Sequence, residues 1–423
     1  MIRRLGALAG AFLIGLSAAG SVSAAPDLLL PDTFSGLVDM RAAVVDGDRS
    51  WLDGGFGKLR FGGDGDGAQG RLALADAALV WRPKLTWDLS AVVDGEVQEL
   101  GGYHADLVQA YLAYKPVPRG PMRYSARVGL FYPQISQEHE GPAWEVADTI
   151  TPSAINSWVG EEVKVVGAEA TVSRMFGEHQ LSATGALFGY DDTSGTLLTF
   201  RGWAMGDVKA GAVGDFPLPP LEQQYLLGQP RETYSLREID SRLGYYGRVE
   251  WRPPAPISFN AFYYDNRGDL TGVDHDVQWA WATRFWDFGA VWRLDDRTRV
   301  LSQVMSGDTL MGFPNGRSVW FNLGFTSAYL LATRSYGPGA FTARIEYFET
   351  RDRNFRPALD DPDQDWGETG WALTGAYRRT LSAHAALFLE ALHIQSDRPS
   401  RLQAGLAARA TQTQVQTALR LSF

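Results

Sequence analysis

A chain of 423 residues without a single cysteine has neither disulfides nor thiolate metal sites at its disposal. Its 39 Lys+Arg against 49 Asp+Glu give a formal charge of −10, which argues against nucleic acid as a partner, because neutralising phosphates takes a basic surface. Forty-six glycines, 14 tryptophans and 12% aromatic residues suit an all-β protein better than a helical one.

The chain opens on a targeting signature. Arg3 and Arg4 form a positive start, Leu5 to Leu16 a short apolar stretch, and Val22-Ser23-Ala24 offers small residues for cleavage. This predicts a signal peptide over 1–24 and one domain over 25–423. The apolar stretch is short of the roughly 20 residues of a membrane span, and no later run is long enough for a transmembrane helix. A mature chain that spans a membrane must then do so as a closed barrel, which satisfies every backbone group between strands.

Period-two alternation supplies the strands. About sixteen are predicted, an even number typical of bacterial barrels. They lie near 33–45, 71–81, 85–98, 106–115, 123–132, 163–174, 180–190 and 243–252, then 257–266, 278–293, 298–306, 319–334, 341–349, 370–379, 384–395 and 412–423. The last is the clearest. Thr413, Val415, Thr417, Leu419, Leu421 and Phe423 share one face, whereas Gln412, Gln414, Gln416, Arg420 and Ser422 share the other. The facing of the strands around Arg284 and Gln303 stays open. Runs of this length cross a bilayer at a tilt, which takes about 9 to 11 residues.

Connections alternate between short and long. Turns near 82–84, 115–121, 175–179, 252–256 and 294–297 separate long polar loops near 46–70, 133–162, 191–242 and 351–369. This is the pattern of short periplasmic turns and long extracellular loops. Trp81, Trp87, Tyr132, Trp251, Trp292, Trp371 and Phe423 fall at or near strand ends, as an interfacial aromatic girdle requires. The fold class is therefore all-β: a transmembrane antiparallel barrel in the bacterial outer membrane.

With its export signal, sixteen strands, long third loop and terminal aromatic, the chain resembles a bacterial porin. Arg127-Val128-Gly129-Leu130-Phe131-Tyr132-Pro133, the following Glu138-His139-Glu140, and Arg284-Phe285-Trp286-Asp287-Phe288-Gly289-Ala290 are weakly similar to the phosphate-selective type. That type implies pore-lining lysines. Inward positions here carry arginines and carboxylates instead, so phosphate selectivity is not carried over. The resemblance implies contact with outer-membrane lipid, lipopolysaccharide and the insertion machinery that reads an aromatic carboxyl terminus, and leaves room for a homotrimer.

A barrel of this size leaves an aqueous channel. Its inward-facing charges are expected at Asp39, Arg41, Asp88, Asp94, Glu96, Arg123, Arg127, Glu169, Arg248, Glu250, Arg344, Glu346, Arg378 and Arg420, where they either set ion preference or brace the wall as salt bridges. By resemblance, the loop over 133–162 is placed to fold inward as a constriction carrying Glu138, Glu140, Trp144, Glu145 and Asp148. The longer loop over 191–242, with the apolar centre Phe216-Pro217-Leu218-Pro219-Pro220-Leu221, either plugs the lumen, latches a neighbour or packs over the mouth.

Catalysis finds little support. His393 and Ser396 are three apart and so on opposite strand faces, and the neighbours Asp274-His275-Asp276 diverge if extended. No phosphate loop or His-x-x-x-His pair appears. The acidic runs 64–67 and 360–365 lack the spacing of a calcium loop. No cofactor, metal or nucleic acid is expected. The expected function is passive diffusion of small hydrophilic solutes or ions. A plugged barrel that engages partners or lipid through its loops is the alternative, and a barrel hydrolase a more distant one.

Overall fold

A strand with apolar side chains on one face and polar ones on the other must place each face against a matching solvent, and a closed sheet does this in one step. The computed structural model describes residues 28–65, 67–221, 230–314, 316 and 319–423. The expected leader over 1–24 and Asp66 of the first acidic run lie outside them. Sixteen strands close into one antiparallel barrel. In chain order they are β1 (Phe34–Asp46), β2 (Gln69–Trp81), β3 (Leu89–Glu99), β4 (Tyr103–Tyr114), β5 (Met122–Phe131), β6 (Val165–Phe176), β7 (His179–Gly189) and β8 (Gly244–Arg252). β9 (Ile257–Asp265), β10 (Ala282–Asp295), β11 (Thr298–Met311), β12 (Phe321–Tyr336), β13 (Gly339–Asp352), β14 (Glu368–Ser382), β15 (Ala385–Asp397) and β16 (Arg409–Ser422) follow. Each pairs with its sequence neighbours, and β1 pairs with β16 in the register Asp39↔Arg420.

Polarity is inside out relative to a water-soluble sheet. Leu79, Val128, Leu187, Val249, Phe288, Leu330, Ile345, Leu373, Leu389 and Val415 are exposed on the outer wall. Asp39, Arg41, Glu96, Glu169, Arg344, Glu390 and Gln416 are buried inside. Such an outer face is stable only against lipid. The orientation left open around Arg284 and Gln303 is resolved by burial. Arg284 points outward with Trp286 and Phe288, whereas Gln303 is fully buried and donates to Asp287 at 2.9 Å.

Two strands begin four residues later than the alternation predicts. Leu85 and Thr86 donate to Leu89 O in a tight turn, so β3 starts at Leu89 and Trp87 stands fully exposed on the turn. Asp274 donates to Gln278 O, with Val277 at φ 60°, which delays β10 to Ala282. The closing seam is completed by the last residue. Phe423 exchanges both backbone hydrogen bonds with Gly36 (3.1 and 3.2 Å), and its ring fills the space that a Cβ on Gly36 would need.

A candidate passage filled by inserted loops

Three long connections turn into the barrel instead of standing away from it. The loop after β5 carries a helix, α1 (Ala154–Glu162), whose N-cap Ser153 accepts from Asn156 N and every residue of which is buried. Its apolar side packs on inward-facing aromatics. Trp158 meets Trp203, Phe285 and Phe325 edge-on at ring distances of 6.0, 5.5 and 5.3 Å. The lumen thus holds a hydrophobic cluster that also takes in Phe188, Tyr246, Phe262 and Tyr264.

Charged wall residues grip the same loop. Arg344 donates to Glu346 (2.6 Å), Glu138 (2.9 Å) and the carbonyls of Thr151 and Pro152 (2.9 and 3.0 Å). Glu138 accepts in turn from the Ser153 backbone and hydroxyl. Glu346 accepts from Ala154 N and Glu390 from Ile150 N, at 2.8 and 2.7 Å. Arg420 donates to Val146 O and Arg378 to Ala147 O. Arg299 holds Glu140 and Asp148, each at 2.6 Å.

The loop over 191–242 also enters the barrel, where Trp203 packs on Phe325 beside Trp158. A short helix, α2 (Thr196–Phe200), begins where Glu162 accepts from Gly195 N and Leu197 N. Arg201 pairs with Glu161 at 2.7 Å, Gly206 N donates to Ser157 Oγ, and Ala210 N donates to Gly160 O. These contacts join the two loops into one plug. Asp207 then receives Arg41 and Arg60, and Lys209 reaches Asp76, Glu96 and Glu145. The loop after β1 joins the other two. Lys58 pairs with Glu368, and Lys58 O accepts from Met205 N.

Of the expected lining residues, Asp39, Arg41, Asp94, Glu96, Glu169, Arg344, Glu346 and Arg420 face inward and are buried. Arg127 forks onto Glu169 (2.8 and 2.9 Å), and Arg248 pairs with Glu250; both pairs are part-buried. Arg123 alone of that set is exposed, near the short-turn end, and Asp88 lies in the turn before β3. Glu138, Trp144, Glu145 and Asp148 are buried or half-buried in the lumen, and Glu140 is the exposed member.

Trp251, Trp292, Trp371 and Phe423 are exposed on the outside, and half-buried Trp81 stacks on Phe34. Tyr132 is a correction. It lies inside the barrel, stacked on Trp144 at 4.0 Å and donating to Gly160 O, because β5 ends at Phe131 and the chain turns into the lumen there. The Asp274-His275-Asp276 group is tied up structurally, since Arg237 pairs with both aspartates.

Several residues that shape this interior escaped the sequence reading. Asp76 did so because β2 has a bulge. The register against β1 slips between Asp39 and Met40, so Ala75 and Asp76 are both buried and parity inverts beyond them. Lys58, Arg60, Arg201, Asp207 and Lys209 sit in loops, where periodicity gives no facing, and Glu161 sits in a helix buried on every side. The one available signal was a charge every second residue, Asp207 and Lys209, in an otherwise apolar stretch from Trp203 to Ala210.

Burial drives the Glu161 carboxyl up to about 7 despite its pairing with Arg201. A folded-state value above the ordinary 4.5 means that the folded chain keeps a proton the unfolded chain has lost. Its stabilising contribution is complete below about pH 4.5 and falls as pH rises through about 7, by up to ~3 kcal/mol. Thermal unfolding of the wild type should therefore weaken between pH 5 and pH 8 relative to Glu161→Gln, and parallel curves would refute this.

No protein-family model matches the sequence, and the search of curated proteins found no match. Solved structures match over nearly the whole chain. The outer membrane channel DcaP of Acinetobacter baumannii aligns with a TM-score of 0.53 at 12% identity, over 92% of this chain and 96% of that one. OmpT of Vibrio cholerae, as a loop L8 deletion mutant, gives 0.52 at 8% identity over 92% and 99%. OprB of Pseudomonas putida gives 0.51 at 11% over 93% and 95%. At these identities the likeness is one of fold. The chain is a sixteen-stranded, closed antiparallel β-barrel with the architecture of outer-membrane porins.

Proposed function

We propose that this protein is a porin-like channel of the bacterial outer membrane, exported by its leader and serving passive diffusion of small hydrophilic solutes or ions. The observation that carries the reading is the wall itself. Charged side chains of both signs line the inside of a closed barrel whose outside is apolar, and rings of charge are how such walls set ion preference. In this reading outer-membrane lipid and lipopolysaccharide surround the barrel, the insertion machinery delivers it, and a homotrimer is an assembly open to it. Neither a catalytic role nor phosphate selectivity is proposed. The lysines that lie in the lumen, Lys58, Lys164 and Lys209, are each bound by loop or wall groups and form no free array.

The filled lumen favours one second reading, a barrel closed by its own loops that engages partners or lipid. Planar-bilayer recording of the refolded protein separates the two. Stepwise openings support a channel, and a silent membrane containing folded barrel supports the closed form.

A further inference from the structure

Lys209 sits in a cation site that other parts of the chain have built. Its ammonium lies 2.9 Å from Asp76 Oδ2, 2.8 Å from Glu96 Oε2, 2.7 Å from Glu145 Oε1 and 2.9 Å from Ala143 O. Asp76 and Glu96 belong to the wall, whereas Glu145 and Ala143 come from the other inserted loop. The backbone of Lys209 is docked separately, its N–H and C=O meeting the amide of Gln98 at 2.8 and 3.0 Å. Burial alone would discharge this lysine, yet the carboxylates of Asp76, Glu145 and Glu96 hold it charged well above the usual lysine range.

The site is richer in acid than its occupant requires. Three carboxylates face one ammonium, with Arg420 sharing only Glu145, at 3.3 Å. Asp94 lies buried two residues from Glu96 on the same wall, and Asp76 Oδ1 and Asp94 Oδ1 are buried oxygens without a hydrogen-bond partner. Four oxygens converging on one point suit a compact primary ammonium, whereas a guanidinium needs a planar, forked arrangement.

We infer that Asp76, Glu96 and Glu145 form a recognition site for primary ammonium groups and that Lys209 is its built-in occupant. Solutes bearing such a group, for example basic amino acids or polyamines, compete with Lys209 and loosen the plug. The solute class rests on the channel reading above; the ammonium site does not.

The test compares wild type with Lys209→Ala, using n-propylammonium as probe and tetramethylammonium, which has no N–H donor, as control at equal ionic strength. Propylammonium should raise the unfolding temperature of Lys209→Ala in detergent and block its enlarged conductance. Tetramethylammonium should do neither, and adding Glu96→Gln should weaken the propylammonium effect by about tenfold or more. In the wild type, millimolar spermidine should speed hydrogen exchange of the amides between Met205 and Ala210, a readout that does not depend on any variant folding. Equal responses to both cations, or no response of exchange to spermidine, would overturn the site. A barrel stabilised by propylammonium but electrically silent would keep the site and sink the channel. One that conducts without amine sensitivity would do the reverse.

Discussion

Replacing Trp158 by alanine is expected to detach the inserted loop while leaving the barrel closed. Truncating a fully buried tryptophan costs about 3–5 kcal/mol, and little can collapse into the gap. The ring is fully buried, contacts Trp203, Phe285 and Phe325, and donates from Nε1 to Glu162 at 2.7 Å. A nine-residue helix such as α1 is not stable alone in water. It is held by this packing, so losing the ring loosens the helix rather than merely hollowing its surroundings. The wall does not share this dependence, since its backbone is paired strand to strand around the full circle. Faster hydrogen exchange confined to 154–163 and a several-fold rise in single-channel conductance would bear this out. Unchanged exchange there would show that the polar anchors suffice.

Arg344→Met should act on the same loop through charge. Arg344 is fully buried and satisfies Glu138, Glu346 and two loop carbonyls at once. Its removal strands two buried carboxylates, and breaking a buried ion pair from one side costs about 3–5 kcal/mol. The expected result is protease cutting within 138–153, where the wild type resists. Because the penalty comes from the carboxylates left behind, Arg344→Met with Glu138→Gln should recover part of the loss. If the double variant is as open as the single one, Arg344 acts through its carbonyl contacts instead.

The strands were legible because a period of two survives every local accident except a bulge. All sixteen overlap the segments that alternation marks, and the outward Trp251, Trp292 and Trp371 follow from strand ends alone. Legibility failed wherever facing is set by something other than the pleat. The bulge at Ala75–Asp76 concealed a wall carboxylate, and the turn at 274–278 displaced the start of β10. Tyr132 reads as a girdle residue from its neighbours in sequence, but one residue past the strand the chain has already turned inward. Which loop enters the lumen depends on partners more than a hundred positions away, such as Lys209 with Glu96, and nothing local announces them.

The pairing of Asp39 with Arg420 joins positions 381 residues apart and lies across the seam between the first and last strands. Arg420 also holds the loop at Val146, while Arg41, beside Asp39, holds the other loop at Asp207. Within the first strand Arg41 already bonds Asp39, at 3.1 and 2.8 Å, so what waits for nearly the last residue is the Arg420 contact that ties Asp39 across the seam. An unsealed sheet is missing both its closing strand and part of the anchorage for what fills it. Sealing and filling are in this sense one event, with Arg420 as a latch common to both.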